Sequence, residues 1–323
     1  MDSQYQDEYS NLNFPEEMTV KAWFDYWISM KKRTVRPNTV RNYAERYGRN
    51  IDPVIGKQIL SEVRPIQCQM IRSRMADEGY RTSTIYQTRI TLFNMLDYAY
   101  QNDAIMKNPC NGMVKSDIGK STQKKETLAL EQQRRFVRGI VGNAYERQYK
   151  FLLRTGLGTG ELVGLKWTDI DFDNRTLMIS RSMEYRHSIR EWRVREPKSK
   201  SEYRSIPLTD ETIDMLRKQK NLEVKVIPME WLKCVFLRRK GTLVKNSTYD
   251  AMLFKQCDKI GIPRFSIHVL RRIFATRCIG SGMKPKTLQT MLGHSNIGIT
   301  MNLYVHTTGD EKHKEIAASL RVM

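Results

Sequence analysis

The first hundred residues carry apolar side chains at the spacing of an amphipathic helix. One stretch has four of them at positions i, i+3, i+4 and i+7: Val20, Trp23, Phe24 and Trp27. Side chains at this spacing share one side of a helix, where they form a core. Thr19 precedes this face and is predicted to cap the helix N-terminus. Further helices are predicted at 38–56, 66–79 and 83–105. The pattern therefore predicts a helical domain over residues 17–107.

The last predicted helix of this domain leads into a segment without hydrophobic periodicity. One face of that helix is predicted to be buried, and it consists of Leu92, Phe93, Leu96 and Tyr100. Residues 108–126 follow, begin with an Asn-Pro pair and are rich in Lys, Gly and Ser. This composition predicts a linker between two domains. The polar residues 1–16 are predicted to form an N-terminal tail.

Residues 127–309 mix helical and strand patterns and are predicted to form a second domain. Helices are predicted at 127–140, 146–155, 210–220, 249–261, 267–282 and 284–294. Residues 175–186 and 191–208 alternate apolar and polar side chains, which predicts a small antiparallel sheet. Residues 310–323 are predicted to form a tail helix, which packs on its own domain or docks on a neighbouring protomer. The predicted fold class is mainly α with a small antiparallel β-sheet, in two domains.

Composition and charge narrow the function classes. The 323 residues are sufficient for two domains, and no run approaches the 18 apolar residues of a membrane span. Five scattered cysteines without a C-x-x-C pair favour reduced thiols over a disulfide framework or a zinc site. These features predict a cytoplasmic protein that binds no membrane. Lys and Arg total 55 against 35 Asp and Glu, and the net charge of +20 indicates a polyanionic partner, with nucleic acid as the first candidate.

Residues with side chains that often take part in catalysis occur in separate segments of the second half. In chain order they are Glu161 in a glycine-rich stretch, Lys198 at a predicted strand end or hairpin turn, His268 and Arg271 three residues apart, His294 after a Leu-Gly pair, and Tyr304. Taken singly, each residue type is more common at structural positions. Their combination in this order is specific.

In this order the segments resemble the boxes of the tyrosine recombinase (phage integrase) family, and in particular the integrases of conjugative transposons. The boxes are TGLGTGELVGLKWTDID, HVLRRIFAT and LGHSNIGITMNLYVH. With IDPVIG and NPC in the helical domain, the similarity extends from residue 17 to residue 320. It implies a C-shaped clamp in which a helical core-binding domain and a catalytic domain close around double-stranded DNA. It also implies a tetramer on two duplexes and a DNA-bending accessory protein as a further partner.

The resemblance implies roles that the residue types can perform. A tyrosine hydroxyl can store phosphodiester energy in a covalent bond, so Tyr304 would attack the scissile phosphorus and leave a 3′-phosphotyrosine. Arg271 would bind the nonbridging oxygens with its fork of donors. Lys198, or alternatively Lys200, would protonate the leaving 5′-oxygen. This chemistry requires no metal and no other cofactor.

Supporting roles are implied for three more residues of the boxes. His268 is a candidate acid or base near the tyrosine, and His294 is a candidate hydrogen-bond donor to the phosphate. Glu161 is expected to orient a neighbouring histidine or arginine. Three arginines of the helical domain are candidate DNA contacts: Arg41, Arg46 and Arg49.

The first box departs from the family at one position. The family pattern is T-G-L-R-x-G-E, and this chain has Gly158 in place of the arginine. Losing one preorganised charge-stabilising group costs about 10² to 10³ in rate, so the chain is expected to be catalytically impaired. Three explanations stay open. They are a substitution introduced to stall the enzyme, which we favour because the other motif residues are present, a natural degenerate recombinase, and rescue by Arg154.

The sequence thus predicts a site-specific DNA recombinase that integrates and excises a mobile element. Two alternatives remain. A non-catalytic site-specific DNA-binding protein is favoured by the net charge and by Gly158. A type IB topoisomerase would use the same tyrosine chemistry on one strand at a time, without pairing two sites. DNA cleavage distinguishes the first alternative from the recombinase.

Overall fold

The computed structural model describes residues 17–112, 118–121, 128–186, 189–196, 200–222 and 227–304. The chain forms two compact units, Met1–Lys125 and Glu126–Met323. The predicted tails 1–16 and 310–323 lie outside the described residues. No helix within the described ranges is long and apolar enough to cross a membrane. The domain limits at residues 107 and 126 stay predictions. The chain itself divides between Lys125 and Glu126.

The first unit is helical, as predicted. Its helices are α1 (Val20–Thr34), α2 (Pro37–Arg46), α3 (Asp52–Ile55), α4 (Pro65–Asp77) and α5 (Thr82–Gln101). A π-helical turn at Tyr47–Ile51 joins α2 to α3, and a 3-10 turn at Leu60–Glu62 precedes α4.

Aromatic side chains of α1 form the centre of the first core. Trp23 and Trp27 are completely buried, and the indole Nε1 of Trp23 donates to the carbonyl of Met95 at 3.0 Å. The ring of Phe24 stacks on Tyr47 with 3.7 Å between centroids. The Thr19 hydroxyl accepts a hydrogen bond from the Ala22 amide at 3.2 Å. The predicted buried face and N-cap of α1 are therefore confirmed.

The predicted buried face of α5 is wrong at Tyr100, which is 48% exposed. Leu92 and Leu96 are buried as expected, together with Met95 and Ala99. Each helical residue advances the side chain by about 100°, so a residue eight positions after Leu92 points about 80° away from it. That offset moves Tyr100 off the stripe centred between Leu92 and Ala99.

Two parts of the predicted linker pack on the first unit. Asn108 and Cys110 are buried there, and the Asn108 side-chain oxygen accepts from the Cys110 amide at 2.9 Å. Farther on, Lys120 pairs with Arg81 in an isolated parallel bridge. A side-chain hydrogen bond of Asn108 helps to hold this segment in place, whereas the segment has no periodic apolar face. The hydrophobic pattern therefore did not predict that it packs on the first unit.

The second unit contains the remaining helices and all strands of the described chain. The helices are α6 (Leu130–Gly139), α7 (Glu146–Thr155), α8 (Thr159–Gly164), α9 (Asp210–Lys220), α10 (Asn246–Ile260), α11 (His268–Gly280), α12 (Pro285–Leu292) and α13 (Ile297–Tyr304). The strands are β1 (Ile170–Asp171), β2 (Thr176–Ile179), β3 (Ser182–Arg186), β4 (Glu191–Arg195) and β5 (Arg204–Pro207). The predicted class, mainly α with antiparallel β, is confirmed.

The strands divide into two antiparallel sheets instead of the single sheet expected. One has the order β1-β2-β5, with Leu177 opposite Ile206, and both of these side chains are buried. The other is the hairpin β3-β4, with Tyr185 opposite Trp192. The three-stranded sheet fixes the first residue of β5, Arg204, beside the helices that form the site described next.

Candidate active site

The glycine-rich stretch forms a tight connection between α7 and α8. Gly156 ends α7 in the left-handed conformation, with φ of +65°. A Cβ atom there would lie 2.3 Å from the ring of Phe274, so only glycine fits. Gly158 then starts α8 as its N-cap, and its amide donates to Glu161 Oε2 at 2.7 Å. The side chain of Glu161 therefore folds back onto the backbone of Gly158 at the start of the helix.

Gly158 itself is not required by the backbone. Its φ of −73° and ψ of 154° belong to the extended region that any residue adopts. An added Cβ would lie 3.5 Å from Glu161 Oε2 and 4.0 Å from Arg271 Nη1, which are ordinary contact distances. A side chain at position 158 would thus start beside the candidate phosphate-binding arginine.

The carboxylate of Glu161 is the centre of a buried charge cluster. Its Oε1 accepts from Arg204 Nη1 at 2.7 Å, and its Oε2 accepts from Arg204 Nη2 at 3.0 Å and from Arg271 Nη1 at 3.4 Å. Burial by itself would raise the pKa of Glu161. The hydrogen bonds and charge of Arg204, and then the charge of Arg271, outweigh burial and hold that pKa below its usual range. Glu161 is therefore an anion bound by two cations.

Arg271 points from the first turn of α11 into this cluster. Its Nη1 donates to the carbonyl of Gly156 at 3.0 Å, and its Nη2 donates to the carbonyl of Leu292 at the end of α12. Burial lowers the pKa of Arg271, an effect that Glu161 opposes and Arg204 reinforces. The guanidinium nevertheless stays charged at neutral pH. It is held in one orientation by three different parts of the unit.

His294 lies two residues after Leu292, the last residue of α12. Its Nδ1 forms a hydrogen bond of 2.9 Å with the hydroxyl of Thr300, a fully buried residue of α13. Burial lowers the pKa of His294 to about 4, and the charges of Arg271, Arg204 and His268 act in the same direction. The ring is therefore neutral at pH 7, and the nitrogen that carries its proton can donate one hydrogen bond.

The structure brings together most of the residues that the sequence singled out. Glu161, Arg271 and His294 are neighbours, and His268 is the exposed first residue of α11, close enough to influence His294. Lys198 lies outside the described residues. For Tyr304, the structure gives the main-chain position at the end of α13.

Two residues of the site were missed from the sequence. Thr300 carries no motif signal. Arg204 is only 5% exposed. Arginine is rarely buried unless it is paired with an anion. The alternation of β5 provides a signal, because Arg204 and Ile206 both occupy the inward positions. An arginine on the inward face of a strand predicts a buried anion opposite it.

The remaining arginine predictions fall into two groups. Arg154 forms an ion pair of 2.8 Å with Glu211 of α9, so its charge is directed towards that carboxylate. In the helical unit, Arg41 and Arg49 are exposed. Arg46 is partly buried and donates to the Thr91 hydroxyl at 3.4 Å. These positions make Arg41 and Arg49 better candidates for DNA contacts than Arg46.

Sequence comparison identifies the family. Residues 138–311 match the phage integrase family, and residues 19–76 match the phage integrase N-terminal SAM-like domain. The transposase from transposon Tn916 of Enterococcus faecalis is 30% identical over 276 residues, which cover 81% of this chain and 68% of that protein. The chain belongs to the phage integrase family of tyrosine recombinases.

Solved structures that resemble the recombinase are integrases as well. The integrase of transposon Tn1549 in complex with transposon right end DNA has 27% identity and a TM-score of 0.82, covering 93% of this chain and 99% of that chain. The lambda integrase tetramer bound to a Holliday junction has 16% identity and a TM-score of 0.65, covering 93% of this chain and 80% of that chain. The latter similarity shows the shared fold alone.

The low pKa of His294 makes the stability of the recombinase depend on pH. The folded value is about 4 and the unfolded value is 6.5, so the unfolded chain binds this proton more tightly. Stability is therefore fully present above pH 6.5 and is lost as pH falls towards 4. We expect a loss on the order of 1–2 kcal/mol, reduced because the ring is only partly buried.

Urea unfolding at pH 7 and at pH 4.5 measures this effect. The matched variant His294→Gln cannot take up the proton and should lose less stability over the same interval. An equal loss in both proteins would contradict the assignment to His294.

Proposed function

We propose that this recombinase cuts and rejoins double-stranded DNA through a 3′-phosphotyrosyl bond at Tyr304, and thereby integrates and excises a mobile element. One observation carries the proposal. His294 is bonded to Thr300 in the helix whose last residue is Tyr304, and Arg271 is near enough to His294 to lower its pKa, so two residue types that bind a phosphate adjoin that helix. The relatives support the biological context, because they include transposon transposases and an integrase bound to transposon end DNA.

The reaction begins when the Tyr304 hydroxyl oxygen attacks the scissile phosphorus. A bond forms between this oxygen and phosphorus, and the bond to the 5′-oxygen of the next nucleotide breaks. His268 serves as the acid or base near the tyrosine, and Lys198 protonates the leaving oxygen. A free 5′-hydroxyl from a second duplex then reverses the steps, so no external energy source is needed.

Negative charge builds up on the nonbridging phosphate oxygens in the transition state. Arg271, fixed by its bonds to the carbonyls of Gly156 and Leu292 and to Glu161, stabilises this charge with its two remaining N–H donors, and neutral His294 adds one further donor. The arginine that the family has at position 158 is absent, so this chain performs the same step more slowly.

The remaining partners follow from the relatives. Four protomers hold two duplexes, by analogy with the lambda integrase tetramer on a Holliday junction. An accessory protein that bends the element ends completes the assembly, which acts in the cytoplasm on the bacterial chromosome.

A suicide substrate tests the proposal. A nicked duplex copied from the junction of the circularised element loses a short fragment after cleavage, so the covalent complex accumulates. The Gly158→Arg protein should form such a complex, and mass spectrometry should place the DNA on Tyr304. Tyr304→Phe in the same background is the control and should give none. Absence of any complex, with the junction duplex bound, would contradict the enzyme proposal and favour the non-catalytic DNA-binding protein.

Salt dependence tests the DNA contacts separately from cleavage. Each phosphate contact that is lost reduces the slope of log affinity against log salt by about 0.9. We expect Arg41→Gln and Arg49→Gln each to lower the slope by about that amount. Lys21→Gln is the matched control, because Lys21 is also exposed and pairs with Asp25 four residues on, as Arg41 pairs with Glu45. An equal effect of Lys21→Gln would contradict the assignment.

A further inference from the structure

Arg204 makes four side-chain hydrogen bonds in the site, as many as Glu161, although no sequence motif singled it out. Its Nε donates to the carbonyl of Met291 at 2.7 Å, and its Nη1 also donates to the carbonyl of Glu202 at 3.1 Å. With the two bonds to Glu161, four of the five guanidinium hydrogens are engaged. The side chain is 2% exposed. Arg204 therefore lies beneath the site and cannot serve as a DNA ligand.

The two arginines share Glu161 unequally. Arg204 binds both carboxylate oxygens at 2.7 and 3.0 Å, whereas Arg271 reaches one oxygen at 3.4 Å. The paired geometry is the stronger one, so most of the anion's charge is balanced by Arg204. Glu202 also favours the charge of Arg271, but its effect is smaller than that of Glu161. Arg271 is thus left with positive charge that Glu161 does not cancel.

We propose that Arg204 is a positioning residue for strand transfer, which occupies Glu161 so that Arg271 keeps its charge for the scissile phosphate. This inference rests on the proposed function. It gives the buried pair a role in the reaction: Glu161 orients Arg271 through one bond, and Arg204 prevents that bond from becoming a neutralising ion pair. Because this chain lacks the arginine at position 158, binding of the phosphate relies more on the charge of Arg271, which the pairing of Arg204 with Glu161 preserves.

The same residue also fixes the loop that carries His294. The last carbonyls of a helix have no partner inside the helix and attract cations. Arg204 binds the carbonyl of Met291 and Arg271 binds that of Leu292, so the two guanidinium groups together hold the end of α12. Gly293 follows in the left-handed conformation, and a Cβ atom there would lie 2.9 Å from Arg204 Nη1. The path of the chain into His294 is therefore built around Arg204.

Binding to a chemically modified duplex tests the proposal without requiring cleavage. The probe is the element-junction duplex with either a normal phosphate or a neutral methylphosphonate at the scissile position. The ratio of the two affinities measures how much positive charge the site offers, and Arg271→Gln should abolish the preference for the charged probe. In Arg204→Met, Glu161 turns to Arg271, and we expect the preference to fall about tenfold, the value of one charge-assisted hydrogen bond.

Two further variants separate charge balance from simple support of the fold. The double variant Glu161→Gln/Arg204→Met has no carboxylate left to neutralise Arg271, so the preference should return to within about threefold of the starting protein. Arg204→Lys keeps a cation against Glu161 and should retain most of the preference, although it loses the fork. Thermal unfolding shows which variants are folded, and Arg204→Gln, which also removes the cation against Glu161, replaces Arg204→Met if the latter is not.

The outcomes are distinct. A folded Arg204→Met with an unchanged preference would overturn the inference, and so would a double variant that fails to recover or a folded Arg204→Lys that loses the preference. Failure of the proposed function has another signature: the Gly158→Arg protein would form no covalent complex on the suicide substrate while it still binds the junction duplex.

Discussion

Replacing Gly158 with arginine is expected to accelerate formation of the covalent protein–DNA complex by about 10² to 10³, the contribution of one preorganised group to transition-state stabilisation. The extended backbone at position 158 accepts any residue, and an added Cβ meets Glu161 and Arg271 at ordinary contact distances. A guanidinium there would act on the same phosphate as Arg271. The rate of complex formation on the suicide substrate, at saturating protein, measures the gain.

Gly158→Ala is the matched control for the added side chain. Alanine supplies the Cβ atom but no charge and no donor, so the rate should stay within about threefold of that of the starting chain. A similar acceleration by alanine would mean that Gly158 acts through backbone freedom, and an arginine variant as slow as the starting chain would place the missing charge elsewhere.

Substituting alanine for Gly156 is expected to destabilise the second unit by roughly 3–5 kcal/mol. The residue has φ of +65°, which is strained for alanine, and the new Cβ would lie 2.3 Å from the ring of Phe274 in α11. Relief of this clash moves the Gly156 carbonyl away from Arg271, which it now binds at 3.0 Å. Urea unfolding measures the loss of stability, and the methylphosphonate comparison measures the loss of charge at the site.

Gly142 offers a control in the same unit. Its φ of +79° is also left-handed, but no atom lies within 4 Å of the position that a Cβ would take. Gly142→Ala should therefore cost only the backbone strain, about 1–2 kcal/mol, and leave the site intact. Equal losses for the two variants would show that the contact with Phe274 is relieved without consequence.

Local patterns were sufficient to predict most helices of this chain. The α1 face with Trp23 and Trp27, the Thr19 cap and the limits of α7 and α9 follow from residues within a few turns of one another. The predictions fail where local sequence does not determine the exposure of a side chain or the pairing of strands. Tyr100 lies less than a quarter turn from the buried stripe of α5 and is exposed. The short strands β1 to β5 form two sheets, because strand pairing depends on partners that are distant in sequence.

The site was predictable as a set of residues but not as an arrangement. Motif order identified Glu161, Arg271 and His294, whereas their contacts join positions far apart in sequence. Arg271 reaches the carbonyl of Gly156 across 115 residues, and Arg204 reaches Glu161 across 43. No local pattern contains such a contact. The two-cation geometry around Glu161 therefore emerged only from the folded chain.

The bond between His294 and Thr300 connects the candidate phosphate-binding imidazole to the helix that ends at Tyr304. Thr300 precedes Tyr304 by four residues, about one turn of α13. A movement of α13 that withdraws Tyr304 must also pull on the imidazole or release it. A single contact thus couples the position of this helix to the orientation of the imidazole.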